Sequence, residues 1–128
     1  MFQVSIICVF ACLGALTRWQ MGLLFNALGP IPIGTLACNL IGGYLVGVCV
    51  GVFNELTQID PIWRLALITG FMGSLTTFSS FSAEVIAMVN EAKWFLALTT
   101  IGLHLFGSLV LTFLGIKTAT TFLTQLSP

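Results

Sequence analysis

Four long apolar stretches separated by three short breaks set the pattern of this chain. The first runs roughly from Val4 to Leu28 and stops at the turn signal Gly29, Pro30, Ile31, Pro32. The second follows at once, roughly Ile33 to Phe53, and ends in the polar stretch NELTQIDP. Pro61 there opens the next helix, because a first helical turn does not need the N–H that proline lacks. The third stretch runs from about Ile62 to Met88, and Asn90 to Lys93 link it to the fourth, roughly Trp94 to Ile116. Alternation of the kind a barrel strand needs is absent, and each stretch has the ~20 residues with which a helix crosses a ~30 Å hydrocarbon core. The pattern therefore predicts an all-α membrane protein with four transmembrane helices per subunit, in a single domain over residues 1–128. Loops this short make neighbouring helices antiparallel. The leading MFQVSIICVFACLGAL has no positive segment before it and hydrophobicity resumes after Arg18, so a retained span is expected in preference to a signal peptide.

Composition supports this reading and narrows it. Hydrophobic residues make up 58% of the chain and charged ones 6%, with a mean hydropathy of +1.10, far from the ~25% charged residues of soluble domains. Four basic residues balance four acidic ones, and no basic patch exists for nucleic acid. Cys8, Cys12, Cys38 and Cys49 lack the spacing of a metal or redox site and read as small core residues. Lysine and arginine bias orients a membrane protein. Here Arg64 and Lys117 fall on the face that carries both termini, and Arg18 and Lys93 on the other. That balance predicts dual topology, with both orientations made and paired as an antiparallel homodimer. Gly43, Gly47 and Gly51 recur every four residues, and Thr35 and Asn39 extend the strip backwards. Small residues let helices approach closely in lipid, so this strip predicts self-association.

The third stretch, about 27 residues long, exceeds what a straight crossing needs. Gly70 and Gly73 weaken its helix, while Ser74, Thr76, Thr77, Ser79 and Ser80 offer hydroxyls that compete for backbone partners. An interruption around Gly73 to Thr77 is expected. Irregular backbone at membrane depth is tolerated where it is buried in protein or lines a wet cavity, and freed carbonyls there are natural cation ligands. Phe78 and Phe81 follow on one helix face. Their spacing alone favours an ordinary aromatic contact over ring edges presented to an anion.

Three segments carry a family resemblance: GALTRW (Gly14 to Trp19), GTLACNLIGGYLVG (Gly34 to Gly47) and GFMGSLTTFSSFSAE (Gly70 to Glu84). Over essentially the whole chain the sequence resembles the Fluc (CrcB) fluoride channels, bacterial four-span proteins that assemble as antiparallel dual-topology dimers. Ser80 stands where members often have threonine, and keeps the hydroxyl. The resemblance implies a passive, selective fluoride channel of the bacterial inner membrane, exporting cytoplasmic fluoride through two pores per dimer. Phe78 and Phe81 would turn ring edges toward the ion and Asn39 would reach the same path as an amide donor. Ser79 and Ser80 would form a hydroxyl track with Glu84 further along it, and Ser108 would help form a vestibule. The backbone carbonyls of Gly73 and Thr76 from both subunits would hold a structural sodium ion. The implied partners are a second copy of the chain, fluoride and lipid.

Other residues and functions fit less closely. Arg18 reads as a snorkelling structural or anion-attracting residue near the mouth. His104 reads either as a donor to the track or as a core histidine bonded to a neighbouring helix. Glu55, Asp60, Glu91 and Lys93 read as solvated loop charges. A small multidrug exporter coupled to protons is the alternative, but it needs an acid in the first span, and none is there. A purely structural subunit, its hydroxyls gluing helices together, is a further rival. No metal cluster, paired nucleophile and base, or phosphate loop points to an enzyme.

Overall fold

The structure is a computed structural model and describes residues 1–126. Helix α1 spans Phe2–Phe25 and tightens into a 3-10 turn at Asn26–Leu28 before the proline break. Helix α2 spans Ile33–Glu55. The third crossing begins at Pro61–Arg64, where the Asp60 carboxylate accepts the Ile62 N–H at 2.9 Å and caps the first turn. It widens into a π-helical stretch, Leu65–Met72, and returns to α geometry at Gly73–Leu75. Residues 61–75 are α3. Two extended residues, Thr76 and Thr77, separate it from α4, Phe78–Asn90. Helix α5 spans Trp94–Leu126. Among the described residues four segments are long and apolar enough to cross a membrane: Phe2–Leu28, Ile33–Glu55, Pro61–Asn90 and Trp94–Gln125.

The turn from α4 to α5 takes only three residues. Lys93 donates its N–H to the Met88 carbonyl and Ala92 to that of Val89, both at 2.9 Å, with Ala92 at φ 56°. These paired bonds satisfy the last carbonyls of α4 and send the chain back antiparallel. Lys93 and Glu91 pair at 2.7 Å on the exposed loop.

Two boundaries differ from expectation. The fourth span was expected to end near Ile116, yet α5 runs 33 residues, about 50 Å at the usual rise. Lys117 lowers the hydropathy there, but no glycine or proline lies between it and Leu126 to stop the helix, and its ammonium lies 5.7 Å from the centre of the Phe113 ring. The interruption expected over Gly73 to Thr77 is narrower. Gly73 is helical, at φ −62° and ψ −27°, and the extended backbone is confined to two β-branched threonines, a residue type that favours it.

The glycine strip of α2 also has a different partner from the one expected. It packs on α5 of the same subunit, the most extensive helix contact in the fold. Added Cβ atoms at Gly47 and Gly51 would meet Thr112 and Ala119, and one at Gly115 would meet the Tyr44 carbonyl. Thr112 donates its hydroxyl to the Gly43 carbonyl at 3.0 Å across the same seam. Small residues thus bring two backbones together within one subunit, so the strip is not the surface for a second copy. The two halves of the third crossing lean on different neighbours. Helix α3 packs on α1, where Gly14 is buried against the Phe71 carbonyl. Helix α4 packs on α5 through Val85, Met88 and Ala97. Of the cysteines, Cys38 is buried and Cys49 half-buried, but Cys8 and Cys12 are exposed on α1 and are not core residues.

Candidate functional site

Leaving helical geometry at Thr76 and Thr77 frees backbone groups at mid-span, where each unpaired one is costly. Side chains, two of them from other helices, supply partners for several of these groups. Thr77 donates its N–H to Asn39 Oδ1 at 2.7 Å, and Asn39 Nδ2 donates to the Thr77 carbonyl at 3.0 Å. The Asn39 amide thus pairs with Thr77 as a neighbouring strand would. Arg18 Nε donates to the Ser74 carbonyl at 2.9 Å, which a continuous helix would have bonded to the Phe78 N–H. Arg18 therefore turns inward to cap α3, in place of snorkelling toward the membrane surface. Thr77 Oγ1 accepts the Ser80 N–H at 3.1 Å and so caps α4.

Arg18→Met is expected to destabilise the protein by about 1.5–3 kcal/mol, since it orphans a carbonyl that bonds a charged donor. Thermal unfolding in detergent measures this, with Arg18→Lys recovering part of the loss. Wild-type stability for Arg18→Met would show that the Ser74 carbonyl does not depend on the guanidinium.

Two of the rerouted bonds leave particular carbonyls without their helical donors. The Thr77 N–H would have served Gly73, and the Ser80 N–H would have served Thr76, but both are taken by side chains. These are the two carbonyls to which the family resemblance assigns a cation.

On the other side of the joint lie the aromatic groups. Phe78 and Phe81 meet edge to face, ring centroids 5.5 Å apart. Phe81 stacks on His104 at 4.6 Å, and Asn39 Nδ2 lies 2.9 Å from His104 Nδ1. A cleft of about 370 Å³ opens here, lined among others by Asn39, Thr76, Phe78, Phe81, His104 and Ser108. Phe78 is 79% exposed on this open side. His104 is thus bonded to a neighbouring helix and also lines the cleft.

Ser79, Ser80, Glu84 and Gly73 do not line the cleft. Ser79 and Ser80 gather around Thr77, their hydroxyls 3.3 and 3.1 Å from its Oγ1. Glu84 lies further along α4, where Thr35 donates its hydroxyl to Oε1 at 2.6 Å while Oε2 is buried without a partner among the described residues. Thr35 is itself gripped by Asn26, whose Oδ1 accepts the Thr35 N–H at 3.0 Å and whose Nδ2 donates to the hydroxyl at 3.2 Å. Sequence reasoning missed Thr35 as the partner of Glu84, Asn26 as the partner of Thr35, Thr77 as the centre of the joint, and Arg18 as a cap. Only Thr77 carried a local signal, a threonine three residues before the Ser80 N–H that it caps.

A four-span membrane protein that gathers hydroxyl, amide, imidazole and aromatic groups around a mid-depth cleft is a multi-pass protein with a polar site within the bilayer. Residues 5–116 match the family described as CrcB-like protein, Camphor Resistance (CrcB), and the chain belongs to that family. It is 62% identical over 120 residues to the fluoride-specific ion channel FluC of Albidiferax ferrireducens, covering 94% of this chain and 92% of that protein. Its identity to the protein of the same name from Paracidovorax citrulli is 51%, over 98% of this chain and 99% of the relative.

Proposed function

We propose that this chain forms a passive, selective fluoride channel in the bacterial inner membrane, with two pores in an antiparallel dual-topology homodimer that exports cytoplasmic fluoride. The observation that carries the reading is the cleft beside the third crossing, in a chain so similar to proteins named for fluoride conduction. Fluoride is small and strongly hydrated, so it enters an apolar phase only where donors replace its water. Phe78, Phe81, His104 and Ser108 line the cleft and no lysine or arginine does, so ring edges and hydroxyl and imidazole groups would attract an ion without a fixed cation to hold it. Ser79, Ser80 and Glu84 extend the polar route along α4. The exposed Phe78 ring and the open side of the cleft support a second copy as the other wall. With Arg18 turned inward, Lys93 on one face stands against Arg64 and Lys117 on the other, and so weak a bias supports opposite insertion of that copy.

The joint also fits a structural sodium ion. The Gly73 and Thr76 carbonyls have lost their helical donors to Asn39 and Thr77, and hard cations take oxygen ligands of this kind. Such an ion would neutralise the carbonyl dipoles of the joint and tie two subunits together. Proton-coupled drug export is not favoured, because α1 carries no acid and Glu84 is engaged by Thr35.

Purified protein in liposomes is expected to release fluoride much faster than chloride down an imposed gradient. Equal rates would remove the selectivity. Phe81→Ile keeps the apolar bulk and deletes the ring edge, and its fluoride flux is expected to fall roughly tenfold, the scale of one aromatic quadrupole contact. Unchanged flux would remove the aromatic role.

A further inference from the structure

Helix α5 is longer than the membrane is thick. Trp94 opens it, a residue type that sits at the level of the lipid headgroups. Lys117 stands about 35 Å further along the helix, just past a hydrocarbon core of ~30 Å, so residues 117–125 lie at headgroup depth on the other side. Lys117 is the only lysine or arginine in α5, which has no aspartate or glutamate. The one ion pair among the described residues joins Lys93 to Glu91, so the Lys117 ammonium has no carboxylate there and rests 5.7 Å from the centre of the Phe113 ring. The threonines of this segment fall into two kinds. Thr118, Thr120 and Thr124 give their hydroxyls to backbone carbonyls four residues earlier, at 2.8, 3.1 and 2.8 Å. Thr121 makes no such bond, and among the described residues neither its hydroxyl nor the Gln125 amide has a partner. Lys117, Thr121 and Gln125 are spaced by four and form one column on the helix surface. A hollow of about 390 Å³ opens on this column, with Leu114, Thr118 and Phe122 completing its wall.

We propose that this hollow holds the headgroup phosphate of an anionic phospholipid. The column offers an ammonium, a hydroxyl and an amide NH2, all with protons to give, and a phosphodiester brings negative charge and oxygens that accept them. No acid on α5 opposes it. The side of the helix below the column fits the rest of a lipid. Phe113, Val110 and Phe106 continue it toward mid-bilayer at helical spacing, all three exposed, and an acyl chain laid along them would descend from a headgroup held at Lys117. A free phosphate would have no use for that apolar strip. A zwitterionic lipid has the same phosphate, but its own ammonium cancels the charge that Lys117 answers. No residue lines both this hollow and the mid-span cleft, so the lipid site is independent of which ion the cleft passes. In the antiparallel pair proposed above, one such site stands in each leaflet.

Native mass spectrometry of the full chain in detergent tests this, with phosphatidylglycerol and phosphatidylcholine of identical acyl chains supplied in equal amounts. The wild type is expected to retain phosphatidylglycerol in roughly 5- to 30-fold preference, the weight of one lysine at an anionic surface and one hydrogen bond. Lys117→Gln should bring the two lipids close to parity, Lys117→Arg should keep most of the preference, and Thr121→Val should keep only part of it. Both positions are exposed, so these variants fold as the wild type does. Arg64→Gln removes a cation from the same membrane face and should leave the preference in place. Equal retention of the two lipids by the wild type, or an unchanged preference in Lys117→Gln, overturns the proposal. A loss in Arg64→Gln as complete as in Lys117→Gln also overturns it, because the preference would then belong to the face as a whole. Inorganic phosphate at millimolar concentration should not displace the lipid, and displacement would assign the hollow to a free anion instead.

Discussion

Replacing Asn39 by leucine is expected to lower the stability of the protein by roughly 3–9 kcal/mol, because it orphans three groups at once and each costs about 1–3 kcal/mol. The Thr77 N–H, the Thr77 carbonyl and His104 Nδ1 all lose their partner at mid-span, where no water replaces it. A loss of that size is a large share of a total stability of about 5–15 kcal/mol. The measurement is thermal unfolding in detergent, where a fall in midpoint of about 10 °C or more is expected. Asn39→Asp should fall between wild type and leucine, since a carboxylate still accepts the Thr77 N–H but donates nothing to the carbonyl or to the imidazole. A leucine variant as stable as wild type would show that the joint holds itself without the amide.

The second large effect is steric. A Cβ at Gly47 would run into the Thr112 carbonyl, a backbone group that moves only if α2 and α5 separate. A Cβ at Gly102, also on α5, would meet nothing within 4 Å. The two alanine variants should therefore have opposite signs. Gly102→Ala gains about 0.5–1 kcal/mol of helix propensity, while Gly47→Ala loses about 1–3 kcal/mol to overpacking. Folded yield and unfolding midpoint, compared side by side, test the pair. Equal behaviour would mean that the glycine strip is not the seam between the helices.

The glycine strip also shows how far sequence reasoning reached. Its spacing of four marks a close helix contact, but spacing cannot say whether the facing helix belongs to the same copy or to another. The contact with α5 decided that. The hydroxyl run at Ser74 to Ser80 was legible as a place where helix geometry gives way. Its narrow extent, two threonines, depends on Asn39 waiting 38 residues earlier to receive the freed peptide. Arg18 read as a surface-seeking cation because its capping target lies 56 residues away. The Thr35 bond to Glu84 spans 49 residues and had no trace in either neighbourhood.

What the amino-acid order determined by itself was local: four apolar segments of crossing length, their turns, the balance of charge between faces, and the weak point in the third segment. Hydrophobic transfer sums residue by residue along the chain, so these follow without knowing which helix stands beside which. The pairing of polar groups is different in kind. A carbonyl at bilayer depth must find a donor within about 3 Å, and which side chain fulfils that need depends on how helices distant in sequence stand side by side. Only the tertiary structure brought Arg18 to Ser74, Asn39 to Thr77 and His104, and Thr35 to Glu84.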